Sequence, residues 1–447
     1  MALIDFMFEV REKPQLVERA LLVGVYMDKS KEKEASSLLD ELNELVQTLG
    51  IGIMDSVLVK VRENFPSHLM GKGKMAEIIE RSQDLNCDCI IFDNELSPNQ
   101  QRNWENDSKI LVIDRQEVIL DIFSLRARTK EARLQVQLAR MQYTLPRMAR
   151  MWSHLDRQGG GSGGGKGGGG AARGEGEKQI EVDRRLARKK IDRVKAELDK
   201  VRQQRKTQRK ERNRADLPHA AIVGYTNAGK SSLLNGLTES SVLAEDKLFA
   251  TLDTTTRKLD LDDGQTILLT DTVGFVRRLP HGLVESFKAT LEEAVLADFL
   301  IHVIDGSSEN VEEHYKTTLD VLKELGADEK RIISAINKTD LISAERLQEL
   351  KNIFPEAVLI SVQKRHGFES LLDKINEMLL SNIVRKTLKI PQSRQDLVAL
   401  LHREGKILSQ DYCENDIIIN AIYSKRLLAK FAEFVMAENV EIPAAGE

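Results

Sequence analysis

The octapeptide Gly224-Tyr-Thr-Asn-Ala-Gly-Lys-Ser231 decides the fold of this chain, and it directly follows the apolar run 220–223. A short buried strand, a turn bounded by glycines and a helix that opens at Lys230 together predict a phosphate-binding loop. The glycines let backbone N–H groups converge on one anion, while Lys230 neutralises the outer phosphates and the hydroxyl of Ser231 can hold Mg²⁺. The predicted nucleotide contacts are Gly224, Tyr225, Thr226, Asn227, Ala228, Gly229, Lys230 and Ser231.

A second motif, Asp271-Thr-Val-Gly274, stands at the end of the strand-like run 266–270. A carboxylate at Asp271 can hold the magnesium shell through water, and the N–H of Gly274 can sense a γ-phosphate. The predicted contacts in this motif are Asp271, Thr272, Val273 and Gly274.

The residue after this motif is Phe275, where many related enzymes place a glutamine that orients the attacking water. An apolar ring cannot orient water, so hydrolysis depends on another group. We therefore predict slow intrinsic turnover that a macromolecular partner accelerates.

A third motif, Asn337-Lys-Thr-Asp340, follows the strand-like run 332–336. Asp340 can accept hydrogen bonds from the ring N–H and the exocyclic amine of guanine, and adenine offers no such pair. The predicted base contacts are Asn337, Lys338, Thr339 and Asp340, with backbone contacts from Ser361, Val362 and Gln363. The motif predicts GTP and GDP as substrate and product.

The segment between the first two motifs is the expected first switch, and one of its threonines should reach Mg²⁺. Its predicted nucleotide contacts are Phe249, Ala250, Thr251, Leu252 and Asp253. Spacing alone leaves Thr251, Thr254, Thr255 and Thr256 open as the magnesium ligand.

Composition describes an ordinary water-soluble protein with 41% hydrophobic and 30% charged residues. Neither a membrane-spanning run nor a signal peptide is recognisable, and three cysteines cannot form a disulfide framework. We expect a cytoplasmic protein, and we interpret Cys87 and Cys89 as reduced core residues and not as metal ligands.

Alternating apolar runs predict a multi-domain α/β protein. The prediction comprises an N-terminal α/β domain with a largely parallel sheet (1–125), an antiparallel helical hairpin (126–214), a doubly wound P-loop domain (215–382) and a small α+β domain (383–447). The hairpin should consist of a helix over 134–155, kinked at Pro146, and a helix that begins near Gln179. A closing helix is expected over 425–436.

The predicted hairpin carries two features that suggest a polyanionic partner. Residues 184–214 contain fifteen lysines and arginines against four acidic residues, a net charge of +11, so the rest of the chain carries −15. At the tip (158–176), ten of the twelve residues 159–170 are glycine. Such a tract can serve as a passive linker, but its length and charge favour a loop that orders on binding.

With these residues in view, the chain closely resembles the HflX family of ribosome-associated GTPases. The resemblance rests on the three motifs, on Phe249-Ala-Thr-Leu-Asp253, and on the hairpin segments Met151-Trp-Ser-His-Leu155 and Arg173-Gly-Glu-Gly-Glu-Lys-Gln179. It implies Ser231 and Thr251 as magnesium ligands. It also implies binding of the large ribosomal subunit and its rRNA by the N-terminal domain, hairpin and glycine-rich loop, in ribosome splitting under stress or in subunit maturation. The loop departs from the family pattern, because Glu175 replaces a proline and Lys178 a threonine.

The leading hypothesis is therefore a GTP-hydrolysing, ribosome-binding enzyme that is monomeric when free. Lys230, Thr251 and Gly274 are expected to carry hydrolysis, and the general base is unassigned. The alternative is an RNA-binding assembly scaffold that uses GTP occupancy as a signal with little hydrolysis. A membrane-transport or tRNA-modifying GTPase is disfavoured, because the sequence shows neither membrane segments nor a terminal catalytic cysteine.

Overall fold

The structure is a computed structural model that describes residues 17–63, 65–147, 171–213, 217–238, 248–249, 252, 254–261, 265–278, 292–380, 383–413, 415–424 and 427–436. It confirms the predicted multi-domain α/β class with parallel sheets. The domain boundaries proposed above stay predictions.

The N-terminal domain is built on a four-stranded parallel sheet in the order β2-β1-β3-β4. Its strands are β1 (Arg19–Tyr26), β2 (Gly52–Lys60), β3 (Cys89–Phe92) and β4 (Leu111–Asp114). Its helices are α1 (Glu32–Thr48), α2 (Lys72–Asp84), α3 (Pro98–Ser108) and α4 (Arg115–Arg126). The sheet was predicted, whereas α3 and α4 were not.

Helix α3 is stabilised at its start by local capping and not by an apolar stripe. Ser97 caps the N–H of Gln100, the Gln100 side chain returns to the Ser97 N–H, and Pro98 occupies the first turn. Cys87 and Cys89 are buried and form no disulfide bond, which agrees with their interpretation as reduced core residues.

The predicted helical hairpin is present as α5 (Lys130–Thr144) and α6 (Ala171–Asn213). The buried residues of its seam are Leu134, Leu138, Met141, Ala187, Ile191, Val194 and Leu198. The first helix gives way to a 3-10 turn at Leu145–Arg147, which contains Pro146, and residues 148–170 lie outside the described part of the chain.

The predicted start of the second hairpin helix was wrong. Helix α6 begins at Ala171 and not near Gln179, so residues 171–176 of the expected tip loop are helical. Gly174 and Gly176 suggested a loop, but each glycine costs a helix only about 1 kcal/mol.

The central domain contains a six-stranded sheet in the order β10-β9-β8-β5-β7-β6, with β6 antiparallel to β7 and the other pairs parallel. The strands are β5 (His219–Gly224), β6 (Thr255–Asp260), β7 (Thr266–Asp271), β8 (Phe299–Asp305), β9 (Arg331–Asn337) and β10 (Val358–Leu359). The helices around this sheet include α7 (Lys230–Thr238), α8 (Val311–Glu324), α9 (Ala344–Ile353) and α10 (Phe368–Leu380). The three predicted motifs begin with the last residues of β5, β7 and β9, at the carboxyl edge of the sheet.

The C-terminal module is a three-stranded antiparallel sheet of order β11-β13-β12. Its elements are β11 (Ile383–Pro391), α11 (Gln395–Glu404), β12 (Gly405–Cys413), β13 (Asp416–Ser424) and α12 (Leu428–Phe431). The expected closing helix over 425–436 was too long. Its last part is a 3-10 turn at Ala432–Phe434, after which Val435 bridges to Leu388 of the sheet.

Candidate nucleotide-binding site

The predicted phosphate loop connects the end of β5 to the start of α7, and both bounding glycines have positive φ. At Gly224 (φ +149°) an added Cβ would stand 2.3 Å from the carbonyl oxygen of Val303. At Gly229 (φ +94°) it would stand 2.3 Å from Nδ2 of Asn337. The sharp turn of the loop therefore requires glycine at both positions.

Lys230 points back into the loop that precedes it. Its Nζ donates to the backbone carbonyl of Tyr225 at 2.6 Å, and the side chain is buried. Burial lowers the pKa of Lys230 to about 8, and the nearby carboxylate of Asp271 opposes this shift. The ammonium group thus lies in the concave side of the loop, where a phosphate would restore a full positive charge.

The predicted magnesium ligands of the loop and of the second motif meet. The Ser231 hydroxyl donates to Oδ2 of Asp271 at 2.5 Å, and both residues are buried. The buried hydroxyl of Thr226 has no hydrogen-bond partner among the described residues. A hydroxyl beside a carboxylate is an oxygen donor set of the kind that Mg²⁺ prefers, so these residues fit the ion.

The segment after β7 closes on the phosphate loop. A Cβ added at Gly274 would stand 2.8 Å from Cα of Thr226 and 2.9 Å from Nζ of Lys230. Phe275 accepts from the Thr226 N–H at 2.8 Å and donates its N–H to the Gly224 carbonyl at 3.1 Å. Its ring is 1% exposed within the core. Gly274 therefore lies directly against Lys230, and the Phe275 ring packs in the hydrophobic core.

The predicted base-recognition motif, residues 337–340, is hydrogen-bonded to two neighbouring segments. Nδ2 of Asn337 donates to the Ala228 carbonyl at 2.9 Å, and its Oδ1 accepts from the Val362 N–H at 3.0 Å. The Ser361 hydroxyl donates to Oδ1 of Asp340 at 2.6 Å. The sequence predicted backbone contacts from 361–363, and the structure adds a side-chain role for Ser361, which orients Asp340.

Lys338 and Thr339 hold the remainder of this motif. Lys338 is left-handed (φ +62°) and its Nζ lies 2.7 Å from a carboxylate oxygen of Asp305. The Thr339 hydroxyl donates to the carbonyl of Ile360 at 2.9 Å. Asp305 was missed in the sequence, although an acid at the end of a buried strand was the available signal.

The start of the predicted first switch contacts the N-terminal domain. Phe249 (φ +53°) is 2% exposed, and its ring packs edge-to-face on Phe123 of α4 with centroids 4.6 Å apart. Leu252 is also buried. Ala250, Thr251 and Asp253 lie outside the described residues, so their predicted contacts stay predictions.

Two of the four candidate threonines belong to β6. Thr255 pairs with Asp271 in the ladder, and the Thr256 hydroxyl lies 2.8 Å from that of Thr270. The hydroxyl of Thr256 is thus hydrogen-bonded within the sheet, and the choice among the four threonines stays a prediction. Thr251 and Thr254 precede the strand.

Sequence reasoning missed the residues that join this site to the N-terminal domain. The Tyr225 hydroxyl donates to Glu41 of α1, and Arg277, three residues after Gly274, contacts the same carboxylate. Glu41 is buried among the apolar residues Leu38 and Leu42 of its helix. An acid within an apolar face was the only sign of this contact in the sequence.

The part of the chain that the structure describes contains no helix with the length and hydrophobicity needed to cross a membrane. The same residues include no group of three or more acids, histidines or cysteines suited to a metal.

The fold and the three motifs at its sheet edge define a P-loop nucleotide-binding protein. Three family models match consecutive parts of the chain: "GTP-binding GTPase N-terminal" at residues 36–124, "GTP-binding GTPase Middle Region" at 126–212 and "50S ribosome-binding GTPase" at 219–338. A GTPase HflX of Akkermansia muciniphila is 57% identical over 434 residues, which cover 96% of this chain and 99% of the relative. A GTPase HflX of Lacrimispora saccharolytica is 41% identical, with 97% and 100% covered.

Among solved structures, a complex of the protein SsGBP with GDP is 26% identical, with a TM-score of 0.44, and covers 81% of this chain and 98% of its own. The sequence identities show that the chain belongs to the GTPase HflX family. It is therefore a GTP hydrolase that binds GTP and GDP, and the resemblance inferred from the motifs is confirmed.

Proposed function

We propose that this GTPase binds the large ribosomal subunit and its rRNA in a nucleotide-dependent way, and acts in ribosome splitting under stress or in subunit maturation. The observation that carries the proposal is the outward face of α6. Its exposed basic side chains are Arg185, Arg188, Lys189, Arg193, Lys195 and Lys200. The opposite face is buried in the seam with α5, so the positive charge is presented to solvent on a rigid support. The family model over 219–338, described as a 50S ribosome-binding GTPase, supports the same partner.

In the nucleotide site, we assign roles by position. Lys230 neutralises the outer phosphates, Gly274 reports the γ-phosphate through its N–H, and Asp340, oriented by Ser361, accepts from guanine. Ser231 and Thr251 would hold Mg²⁺ directly, and Asp271 would hold it through water. When bound, the ion would supply positive charge that offsets the charge of the phosphates.

Slow intrinsic hydrolysis is part of the proposal. Phe275 is buried and its backbone is paired with the phosphate loop, so its position supplies no group that could orient water. The same observation favours the second candidate, an RNA-binding assembly scaffold that senses GTP occupancy and scarcely hydrolyses it. The two candidates differ only in whether the partner activates hydrolysis.

The deciding experiment is single-turnover GTP hydrolysis by the full chain, alone, with large subunits and with small subunits as the control. We expect large subunits to raise the rate by about 10²-fold or more, as partner-supplied groups do in related enzymes. The Lys230→Ala variant should show no stimulation. Equal rates with and without large subunits, despite binding, would favour the scaffold.

Light scattering of intact ribosomes separates the two biological roles. A fall in scattering after addition of the protein with a non-hydrolysable GTP analogue supports splitting. Binding confined to immature large-subunit particles, with no fall in scattering, supports maturation. Failure to bind either particle contradicts the proposal.

A further inference from the structure

The carboxyl edge of the N-terminal sheet is occupied by two arginines of the central domain. Strand β1 lies between β2 and β3. The chain therefore runs from β1 to β2 on one side and then crosses over to β3 on the other side. Parallel α/β sheets bind ligands in the crevice at such a switch point. Here Glu41 of α1 and Asp93, directly after β3, receive Arg277 and Arg278, the residues that follow the second nucleotide motif.

The contacts in this crevice are close, and all of their side chains are buried except that of Arg278, which is about half exposed. Nε of Arg277 lies 3.0 Å from Oε2 of Glu41, and Nη1 of Arg278 lies 2.9 Å from Oδ2 of Asp93. Arg115 of α4 approaches Glu41 at 3.0 Å and Asp93 at 2.7 Å. Both carboxylates are less than 10% exposed, 7% for Glu41 and 4% for Asp93. Truncating one partner of such a buried charge cluster would leave the others unpaired.

Glu41 also reaches the phosphate loop itself. The Tyr225 hydroxyl donates to Oε1 of Glu41 and accepts from the backbone N–H of Arg277 at 2.8 Å. The Tyr225 ring stacks on His314, with centroids 3.8 Å apart and planes 7° from parallel. The carbonyl of this same tyrosine receives Nζ of Lys230. One carboxylate of the N-terminal domain thus holds both the loop and the segment after Gly274.

The charges agree with these hydrogen bonds. Burial raises the pKa of Glu41, but Arg115 and Arg277 outweigh it and hold the pKa below its ordinary value. Burial and the Glu41 carboxylate raise the pKa of Tyr225. An ionised Glu41 therefore accepts from a neutral tyrosine hydroxyl, a charge-assisted bond of the stronger kind.

We propose that Glu41 is a positioning residue of the GTPase site, through which the N-terminal domain sets the nucleotide affinity of the phosphate loop. The inference rests on the nucleotide site assigned under the proposed function, but not on the ribosomal partner. Because coupling between sites is reciprocal, nucleotide binding must in turn stabilise the contact of α1 with Tyr225 and Arg277 of the central domain.

The test uses the full chain and measures affinities for GDP and a non-hydrolysable GTP analogue by fluorescence titration. Glu41→Gln should weaken both nucleotides by about tenfold or more, because a hydrogen bond to a buried charge is lost. Asp40→Asn, an exposed neighbour on the same helix, is the matched control and should stay within about twofold of the parent protein.

Tyr225→Phe keeps the test valid if Glu41→Gln does not fold, because it removes only a hydroxyl and leaves the ion pairs intact. It should weaken both nucleotides in the same direction. The double variant should lose less affinity than the sum of the two single losses, because the two residues share the Tyr225–Glu41 hydrogen bond. Unchanged affinity in either folded single variant, or additive losses in the double variant, would overturn the proposal.

Hydrogen exchange supplies a readout that a purely structural role would not move. Saturating GDP should slow amide exchange in α1 of the parent protein and of Asp40→Asn, but not in Glu41→Gln or Tyr225→Phe. Equal slowing in all four proteins contradicts the coupling. If Lys230→Ala binds GDP as well as the parent protein, the assigned nucleotide site fails instead, and the two failures are distinguishable.

Discussion

Nδ2 of Asn337 lies 2.9 Å from the carbonyl oxygen of Ala228, and this hydrogen bond joins the base-recognition motif to the phosphate loop across 109 residues of chain. The same amide nitrogen is the nearest atom to the position that a Cβ on Gly229 would occupy. Asn337 cannot move aside freely, because its Oδ1 is held by the Val362 N–H. The phosphate loop and the segment at Asn337 are therefore held in a fixed position relative to each other.

Gly229→Ala tests this packing. A Cβ 2.3 Å from Asn337 at a positive φ must displace the loop or the amide, so GDP affinity should fall by about 10²-fold or more. Gly73→Ala is the control, because nothing lies within 4 Å of its added Cβ. In α2 it should leave GDP affinity unchanged and raise unfolding stability by up to about 1 kcal/mol. Titration and thermal unfolding measure both; equal GDP affinity in the two variants would contradict the packing argument.

The orientation of Asp340 by Ser361 predicts a graded loss of base recognition. Ser361→Ala should weaken GTP binding by about tenfold, since it removes a hydrogen bond to a charged acceptor. Asp340→Asn should transfer preference from guanine to xanthine nucleotides and weaken GTP by about 10²-fold. Competition titrations with both bases measure the ratio, with exposed Asp373→Asn as the control. Unchanged GTP affinity in Asp340→Asn would refute the base contact.

The lowered pKa of Lys230 predicts a pH dependence of nucleotide affinity. In the free protein this pKa is about 8, and a bound phosphate raises it because it favours the ammonium form. Binding therefore takes up a proton, and affinity falls as pH rises through about 8. From pH 7 to 8.5 the GDP dissociation constant should increase by about fourfold. Calorimetry in buffers of different ionisation enthalpy should show proton uptake near pH 8.5; proton release there would show that the sign is wrong.

The basic face of α6 predicts a steep salt dependence of subunit binding. Each phosphate contact contributes a slope of about −0.7 to −0.9 to log K against log salt. Replacing Arg188 and Lys189 with Gln should make the slope shallower by about 1.5. The control pair, Lys316→Gln and Lys351→Gln, lies exposed on the central domain and should leave the slope unchanged. Equal slopes for both pairs would exclude α6 as the contact surface.

Much of the fold followed from local patterns. The strands before the three motifs were predicted because apolar runs and phosphate-loop chemistry reinforce one another over a few residues. The start of α6 was missed because two glycines lower helix propensity by too little to end a helix. The closing helix was predicted too long because the Leu388–Val435 bridge ends it early. Helix α3 escaped prediction because its start depends on a capping box within a polar run.

The predicted chemistry of the nucleotide site came from short motifs, since the phosphate loop, Asp-x-x-Gly and Asn-Lys-x-Asp each act over only a few neighbouring residues. The contacts that support the site became visible only once the domains were packed together. Glu41 meets Tyr225 across 184 residues and Arg277 across 236, and no periodicity records contacts between domains. The phosphate loop can thus be predicted from eight consecutive residues. Its attachment to the N-terminal domain depends instead on how the two domains pack against each other.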